Sequence, residues 1–311
     1  MTAPPSEAPS TCTGCRIHRP GGIIITMTTV GMHGAGHMGA GLGWALREGG
    51  ARVVTTLAGR SARTARLAAE AGLEPLDSLD AVVEVADTVL VVTPPAAARD
   101  AAGELAAALD RTGRRPLVAD LNAIAPSTVD DIAGTLAATD FVDGSLSGGP
   151  PTVRPGARIY LSGDRAGDVA GLPWRHVRPI VLPGGAGTAS ALKMCTASVY
   201  KGMTGLFMQA MRTAAQHGVL DEVLADLAEA GLADPTRSVV VAATKAARFV
   251  PEFEEIARTQ HAAGLPAALF EGFAEVYRQI TAGELAAADP ESIDRAMPAR
   301  EAIRRLSQRS G

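Results

Sequence analysis

Residues 187–202 read GTASALKMCTASVYKG and place two lysines, Lys193 and Lys201, in an otherwise uncharged run. The chain has 29 Lys and Arg residues in total, and Lys193, Lys201 and Lys245 are its only lysines. Arginine therefore serves at nearly every position that needs only positive charge. A guanidinium is effectively always protonated, whereas a lysine ammonium is compact and loses its proton when desolvated. A lysine retained against this bias is a candidate for proton transfer, although Lys245 shows that a surface lysine also survives it. On a helix, Lys193 shares a face with Ala189, Ser190, Ala197 and Tyr200, and Lys201 lies about two turns further along a similar line. Spacing alone leaves two readings of Lys193: a proton-transfer group, or a charge snorkelling from the end of an apolar helix.

A second constellation lies in TTVGMHGAGHMGAGLGWAL, where Gly34, Gly36 and Gly39 form G-x-G-x-x-G between a strand ending near Gly31 and a helix running from about Gly36. Glycines in this order allow a tight turn, close approach of backbone N–H groups to a pyrophosphate, and close helix–strand packing. His37 and Met38 lie inside the loop and are expected beside the cofactor. Neither His33 nor His37 has an acidic partner nearby in sequence or a third ligand at metal spacing, so neither is read as catalytic. An NAD site typically carries an acid about 20 residues on, where it accepts from the ribose hydroxyls. Here the sequence is TTLAGRSARTAR, in which Arg60, Ser61, Arg63 and Thr64 are donors suited to a 2′-phosphate. NADP(H) is thus expected in preference to NAD(H), the alternative being that these residues merely start a solvated helix. Two later strand ends are further candidates for cofactor contact. VVTPP brings Thr93, Pro94 and Pro95, which otherwise form a stiff loop, and ADLNAIAPST brings Asn122, which otherwise caps a helix.

From about residue 27 to 182, short apolar runs alternate with Ala-rich helical segments, which predicts an α/β domain with a parallel sheet covered by helices. The runs are TMTTVGMHG, ARVVTTLAG, TVLVVTPP, PLVADLNA, DFVDGSLSG and ARIYLSG. From Thr188 to about Gly218 there is no proline, and the pattern predicts one helix of about 30 residues. Further helices are expected at 221–231, 236–263, 266–282 and 290–308. The fold class is therefore an α/β Rossmann domain at 27–186 followed by an all-α domain at 187–311, joined by a long interdomain helix.

Composition limits the partners. The chain has 311 residues, 47% hydrophobic and 20% charged, with a formal net charge of -4. No basic field is offered to nucleic acid, and no apolar run reaches the roughly 18 residues that span a bilayer. A small-molecule substrate and a cytoplasmic location are expected. Residues 1–26 read as a disordered leader, and Met27 is a candidate natural start. The leader's Cys12 and Cys15 form C-x-x-C without a second pair at metal spacing, so no metal site is expected.

With these residues in view, the chain from Thr28 onward resembles the β-hydroxyacid dehydrogenase superfamily, which includes 3-hydroxyisobutyrate and 6-phosphogluconate dehydrogenases. The segment VGMHGAGHMG is similar to that family's cofactor loop, DGSLSGGPP (143–151) to its substrate-binding motif, and LKMCTASVYKG to its catalytic-lysine helix. The resemblance implies that Ser147, Gly148 and Gly149 anchor substrate and that Lys193 is the catalytic lysine. Where the family places an Asn one turn after the lysine, this chain has Ala197, so Ser198, Tyr200 or Lys201 is expected to take over that substrate contact. GGPPTVRPGARIYLSG is also similar to a segment of the related imine reductases. The reaction implied is hydride transfer to or from a small hydroxy or keto acid; reduction of an imine and a non-catalytic NADPH-binding module are the rivals. Relatives commonly pair, so a homodimer is expected.

Overall fold

The computed structural model describes residues 27–290 and 292–308. The leader and its Cys12 and Cys15 lie outside the described residues.

The six predicted apolar runs become strands, and two more join them. These are β1 (Thr29–His33), β2 (Arg52–Thr56), β3 (Glu74–Leu76), β4 (Thr88–Val91), β5 (Leu117–Asp120), β6 (Phe141–Ser147), β7 (Ala157–Ser162) and β8 (Val177–Val181). They form one sheet in the order β3-β2-β1-β4-β5-β6-β7-β8. The additional strands β3 and β8 are the two edges, and each contains a proline, Pro75 and Pro179. Proline cannot donate to a ladder and is confined to edges, which is why these runs do not read as strands. The sheet is parallel except at β6–β7, which pair antiparallel. The β6–β7 connection, 148–156, is too short for the crossover that a parallel pair needs.

The connecting helices are α1 (His37–Glu48), α2 (Ala62–Glu70), α3 (Leu79–Val85), α4 (Ala98–Thr112), α5 (Pro126–Thr135) and α6 (Ala166–Ala170). Alternation within the central strands supplies both faces. Val30, Met32 and Leu90 pack with Leu42 and Leu46 of α1, whereas Val89 and Val91 pack with Leu105 and Leu109 of α4 and Ile132 of α5. Strand order reverses between β1 and β4, both of which pair with neighbours leading away in opposite directions. In an open α/β sheet the ligand crevice lies at the carboxyl ends of such a pair.

After β8 the chain is helical: α7 (Thr188–Gln216), α8 (Leu220–Glu229), α9 (Thr236–Ala243), α10 (Ala246–Ala262), α11 (Ala268–Ile280), α12 (Glu284–Ala287) and α13 (Ala299–Ser307). The long helix expected from Thr188 has 29 residues. Two expected helices are corrected. The stretch 236–263 is two helices broken at Thr244–Lys245, where the Thr244 hydroxyl donates back to the Val241 carbonyl. No Gly or Pro marks that break. The stretch 290–308 becomes helical only at Ala299, because Pro298 precedes the first turn and could not sit in a helix interior without removing a hydrogen bond. Met208, Met211, Val240, Phe253, Ile256 and Tyr277 fill the core of this half.

Among the described residues, no helix is long and apolar enough to cross a membrane.

Candidate active site

The glycine loop sits at the reversal point between β1 and β4, and its glycines serve different ends. Gly34 has φ +110°, and a Cβ there would lie 2.2 Å from the Val92 carbonyl oxygen; a Cβ on Gly39 would lie 1.9 Å from the Gly34 carbonyl oxygen. Both are glycine because backbone packs on backbone. A Cβ on Gly36 would meet nothing within 4 Å, so this position opens outward at the amino end of α1. The loop therefore makes the tight turn internally and leaves one glycine free for close approach of a ligand, as a pyrophosphate at a helix N-terminus requires. His37 and Met38 open α1 and line the cavity in front of it.

At the end of β2, Ser61 caps α2, its Oγ accepting from the Thr64 N–H at 3.3 Å. The Arg60 guanidinium lies 3.8 Å from Glu104 on α4. Glu104 also approaches His33, a buried residue whose pKa is lowered by burial and then by Arg60. Arg63 lines the cavity. The two later strand ends are tied together, because the Thr93 N–H donates to Asn122 Oδ1 at 2.6 Å. Asn122 thus does not cap α5, whose first turn is preceded by Ala125. Its own N–H and Nδ2 donate to Asp120 at 2.9 and 3.0 Å. Pro94 is exposed, and Pro95 is buried at the start of a single tight turn.

Sequence reasoning missed Asp143, the first residue of the motif that ends in Ser147, Gly148 and Gly149. Its Oδ2 accepts from Gly187 N (2.9 Å), Ser190 N (3.0 Å) and Ser162 Oγ (3.0 Å), and its Oδ1 from Ser190 Oγ (2.6 Å). A buried carboxylate on β6 therefore caps α7, where the helix dipole favours negative charge. Ser145, next on the same face of β6, donates to the Ala189 carbonyl at 2.9 Å. Two turns of α7 are thereby set against β6, and Lys193 Nζ reaches the Leu146 carbonyl at 2.7 Å. Burial, and then the charge of Arg248, pull the Lys193 pKa down to about 8. Asp120, paired in register with Asp143, is fully buried, and burial raises its pKa to about 7. An acidic residue inside each of two apolar strands was the signal, since strands are depleted in Asp and buried carboxylates are rare.

Gly148 has φ +116° and its missing Cβ would lie 3.2 Å from Ala157 Cα, whereas Gly149 faces open space. The Ser147 hydroxyl accepts from Arg158 at 3.2 Å. The residues one and two turns after Lys193 are not brought to it in the expected way. Ala197 is packed in the helical core, and Tyr200 is 72% exposed on the outer flank of α7. Lys201 pairs with buried Glu252 of α10, which also accepts from Arg248 at 2.9 Å, and its ammonium lies 4.7 Å from the Phe249 ring centre. Burial, then Lys193, push the Lys201 pKa well below its ordinary value. Lys201 is thus engaged by a carboxylate from another helix, a contact that no local pattern reveals.

A cavity of about 1050 Å³ lies in front of the glycine loop. Its walls come from both halves of the chain: His37, Arg63, Gly148 and Gly149 from the β-sheet half, Lys245 and Arg248 from the helical half. The halves are also latched behind it, where Glu255 of α10 accepts from Ala125 N and Thr128 Oγ1, both at 2.7 Å.

Residues 29–182 match the NAD binding domain of 6-phosphogluconate dehydrogenase, and residues 214–280 match a domain of unknown function (DUF1932). The chain belongs to the β-hydroxyacid dehydrogenase superfamily. This member is similar over 90% of its length to 96% of a conserved hypothetical protein from Sinorhizobium meliloti 1021, with 26% identity and a TM-score of 0.62. It also shares its fold with the 3-hydroxyisobutyrate dehydrogenase of Mycobacterium tuberculosis solved with L-serine (20% identity, TM-score 0.65, covering 89% of this chain and 99% of that one). An imine reductase from Myxococcus stipitatus in complex with NAD+ has the same fold at 16% identity and a TM-score of 0.50, covering 82% of this chain and 94% of that one. No curated protein sequence matches the chain. The superfamily member is accordingly an NAD-binding, dehydrogenase-like protein.

Proposed function

We propose that this protein is an NADP(H)-dependent oxidoreductase acting on a small hydroxy or keto acid, with Lys193 as its general acid and base. The observation that carries the reading is Lys193 itself: a mostly buried ammonium, hydrogen-bonded to a carbonyl at 2.7 Å, beside the motif that ends at Gly149. The residues present fit the cofactor. Gly36, His37 and Met38 would hold the pyrophosphate at the amino end of α1, and Arg60, Ser61 and Arg63 would hold the 2′-phosphate. Thr93, Pro94 and Asn122 would border the crevice. When bound, the nicotinamide supplies or receives the hydride.

The chain's own residues do the rest. Ser147 and the N–H groups at Gly148 and Gly149 bind and orient the substrate carboxylate. With a pKa of about 8, Lys193 is protonated at pH 7 and gives its proton to the substrate oxygen during reduction. In the oxidative direction the neutral amine accepts that proton, so turnover should rise as pH passes through about 8. Asp143 and Ser145 fix the first turns of α7 and with them the lysine's position. Removing a proton-transfer group of this kind costs on the order of 10²–10⁴ in rate. Lys193→Met should therefore bind NADPH as the wild type does and lose turnover across a panel of hydroxy acids, keto acids and imines. Unchanged kcat would overturn the assignment, and a preference for the imines would give the same site a C=N substrate.

The exposed side chains Val199, Met203 and Leu206 line one flank of α7 and support a homodimer built on that helix. Light scattering should give twice the 31.8 kDa chain mass.

A further inference from the structure

The helical wall of the cavity carries a charge that the proposed reaction does not use. Lys245, Arg248 and Arg295 line this wall, and no carboxylate lines it among the described residues. Arg248 shares Glu252 with Lys201, so one buried carboxylate serves two cations. Arg295 donates to the Pro290 carbonyl at 3.2 Å, a neutral acceptor. Lys245 has no ionic partner among the described residues. Its pKa is lowered by burial and then by the like charges of Arg248 and Arg295. Arg248 and Arg295 are exposed and Lys245 is half-buried; three like charges gathered on one wall repel one another, which an anion placed between them relieves. The β-sheet half of the lining does not supply that anion: its one lining carboxylate, Glu70, is paired with Arg66 at 2.9 Å.

Lys245 is the residue before α10 and Arg248 lies three positions on, so the two side chains fall on one face. Arg295, in the segment ahead of α13, reaches the same wall. Tetrahedral and planar oxyanions suit a set of two guanidinium forks and one ammonium, because the forks give paired hydrogen bonds and the ammonium a point charge.

We propose that Lys245, Arg248 and Arg295 form a subsite for a second anionic group of the substrate, a phosphate or carboxylate, in the cavity that Gly148 and Gly149 also line. The substrate is then a small acid with an oxyanion at each end, one held by the Ser147–Gly149 turn and the other by the helical wall. This rests on the hydride-transfer reading for what happens between the two ends, but the binding subsite stands or falls separately.

The test uses the full chain saturated with NADPH, with inorganic phosphate as probe in isothermal titration. Phosphate should bind the wild type, and Lys245→Met and Arg295→Met should each weaken it at least tenfold. Both positions are outside the helical core, and unchanged melting temperatures confirm folding. NADPH affinity in the two variants should stay within twofold of wild type. Phosphate binding that survives both substitutions overturns the proposal, as does a parallel loss of NADPH affinity, which would give the cluster to the dinucleotide. In turnover, hydroxy acids bearing a second carboxylate or a phosphate should exceed their monoanionic analogues at least tenfold in kcat/KM, and both variants should erase that ratio. Equal rates for both classes in the wild type also overturn it. Lys193→Met should bind phosphate like the wild type. Absence of turnover on every substrate, with phosphate binding intact, would refute the hydride-transfer reading and leave the subsite.

Discussion

Replacing Lys193 by Met separates a lysine held for proton transfer from one that supports the fold. Its ammonium is mostly buried and bonded to the Leu146 carbonyl at 2.7 Å, with no carboxylate paired to it among the described residues. Burial and Arg248 bring its pKa from 10.5 to about 8, a difference equivalent to about 3 kcal/mol against the charged form. The unfolded chain keeps this proton up to about pH 10.5, whereas the folded chain releases it near 8. Between those values the unfolded state binds more protons, so stability rises with pH. Below about pH 8 both states are protonated and the full cost remains. Methionine fills similar space without charge. The substitution forfeits the bond to Leu146, worth about 1 kcal/mol. A net gain of about 2 kcal/mol at pH 7 follows, or roughly 3 °C in Tm for a chain of this size. The gain should shrink as pH rises from 8 towards 10.5. Urea titrations and calorimetry of both proteins at pH 7, 8, 9 and 10 without cofactor measure it. A variant less stable than wild type at pH 7, or a gap independent of pH, would refute the reasoning and make Lys193 an ordinary structural charge.

Three further outcomes are expected. Asp143→Asn disrupts a carboxylate that accepts four hydrogen bonds at the start of α7; stability should fall by about 2–4 kcal/mol in urea, and turnover should fall while NADPH affinity holds. Asp120 keeps its proton up to about pH 7 in the folded chain but only to about 3.8 when unfolded, chiefly through burial. The folded state binds more protons in that window, so wild-type stability relative to Asp120→Asn should decline by up to about 4 kcal/mol from pH 4 to pH 7; a flat difference across that range would show Asp120 charged throughout. Arg60→Ala should weaken NADPH binding about tenfold or more and leave NADH little changed, consistent with loss of one charge-assisted contact of about 1.5–3 kcal/mol. Equal losses for both dinucleotides would remove Arg60 from 2′-phosphate recognition.

Much was legible in short windows of sequence. The glycine loop, the alternating α/β pattern and the proline-free helix from Thr188 are local signals, because a turn, a strand or a helix is specified by residues a few positions apart. The scarcity of lysine marked Lys193 as a proton-transfer candidate, whereas Lys245 read as a surface lysine that survives the bias. Edge strands with Pro75 and Pro179, and the break at Thr244–Lys245 with no Gly or Pro, were hidden because their signals contradict or lack the usual punctuation. Tertiary structure alone decided the chemistry of the charged groups. Asp143 meets Ser190 across 47 residues of sequence, and Glu255 meets Ala125 across 130. Glu252 takes Lys201, so the two lysines of one helix differ in role by their partners on another. A pKa depends on what is buried nearby and on which charges surround it, and those neighbours come together only when the β-sheet half and the helical half pack.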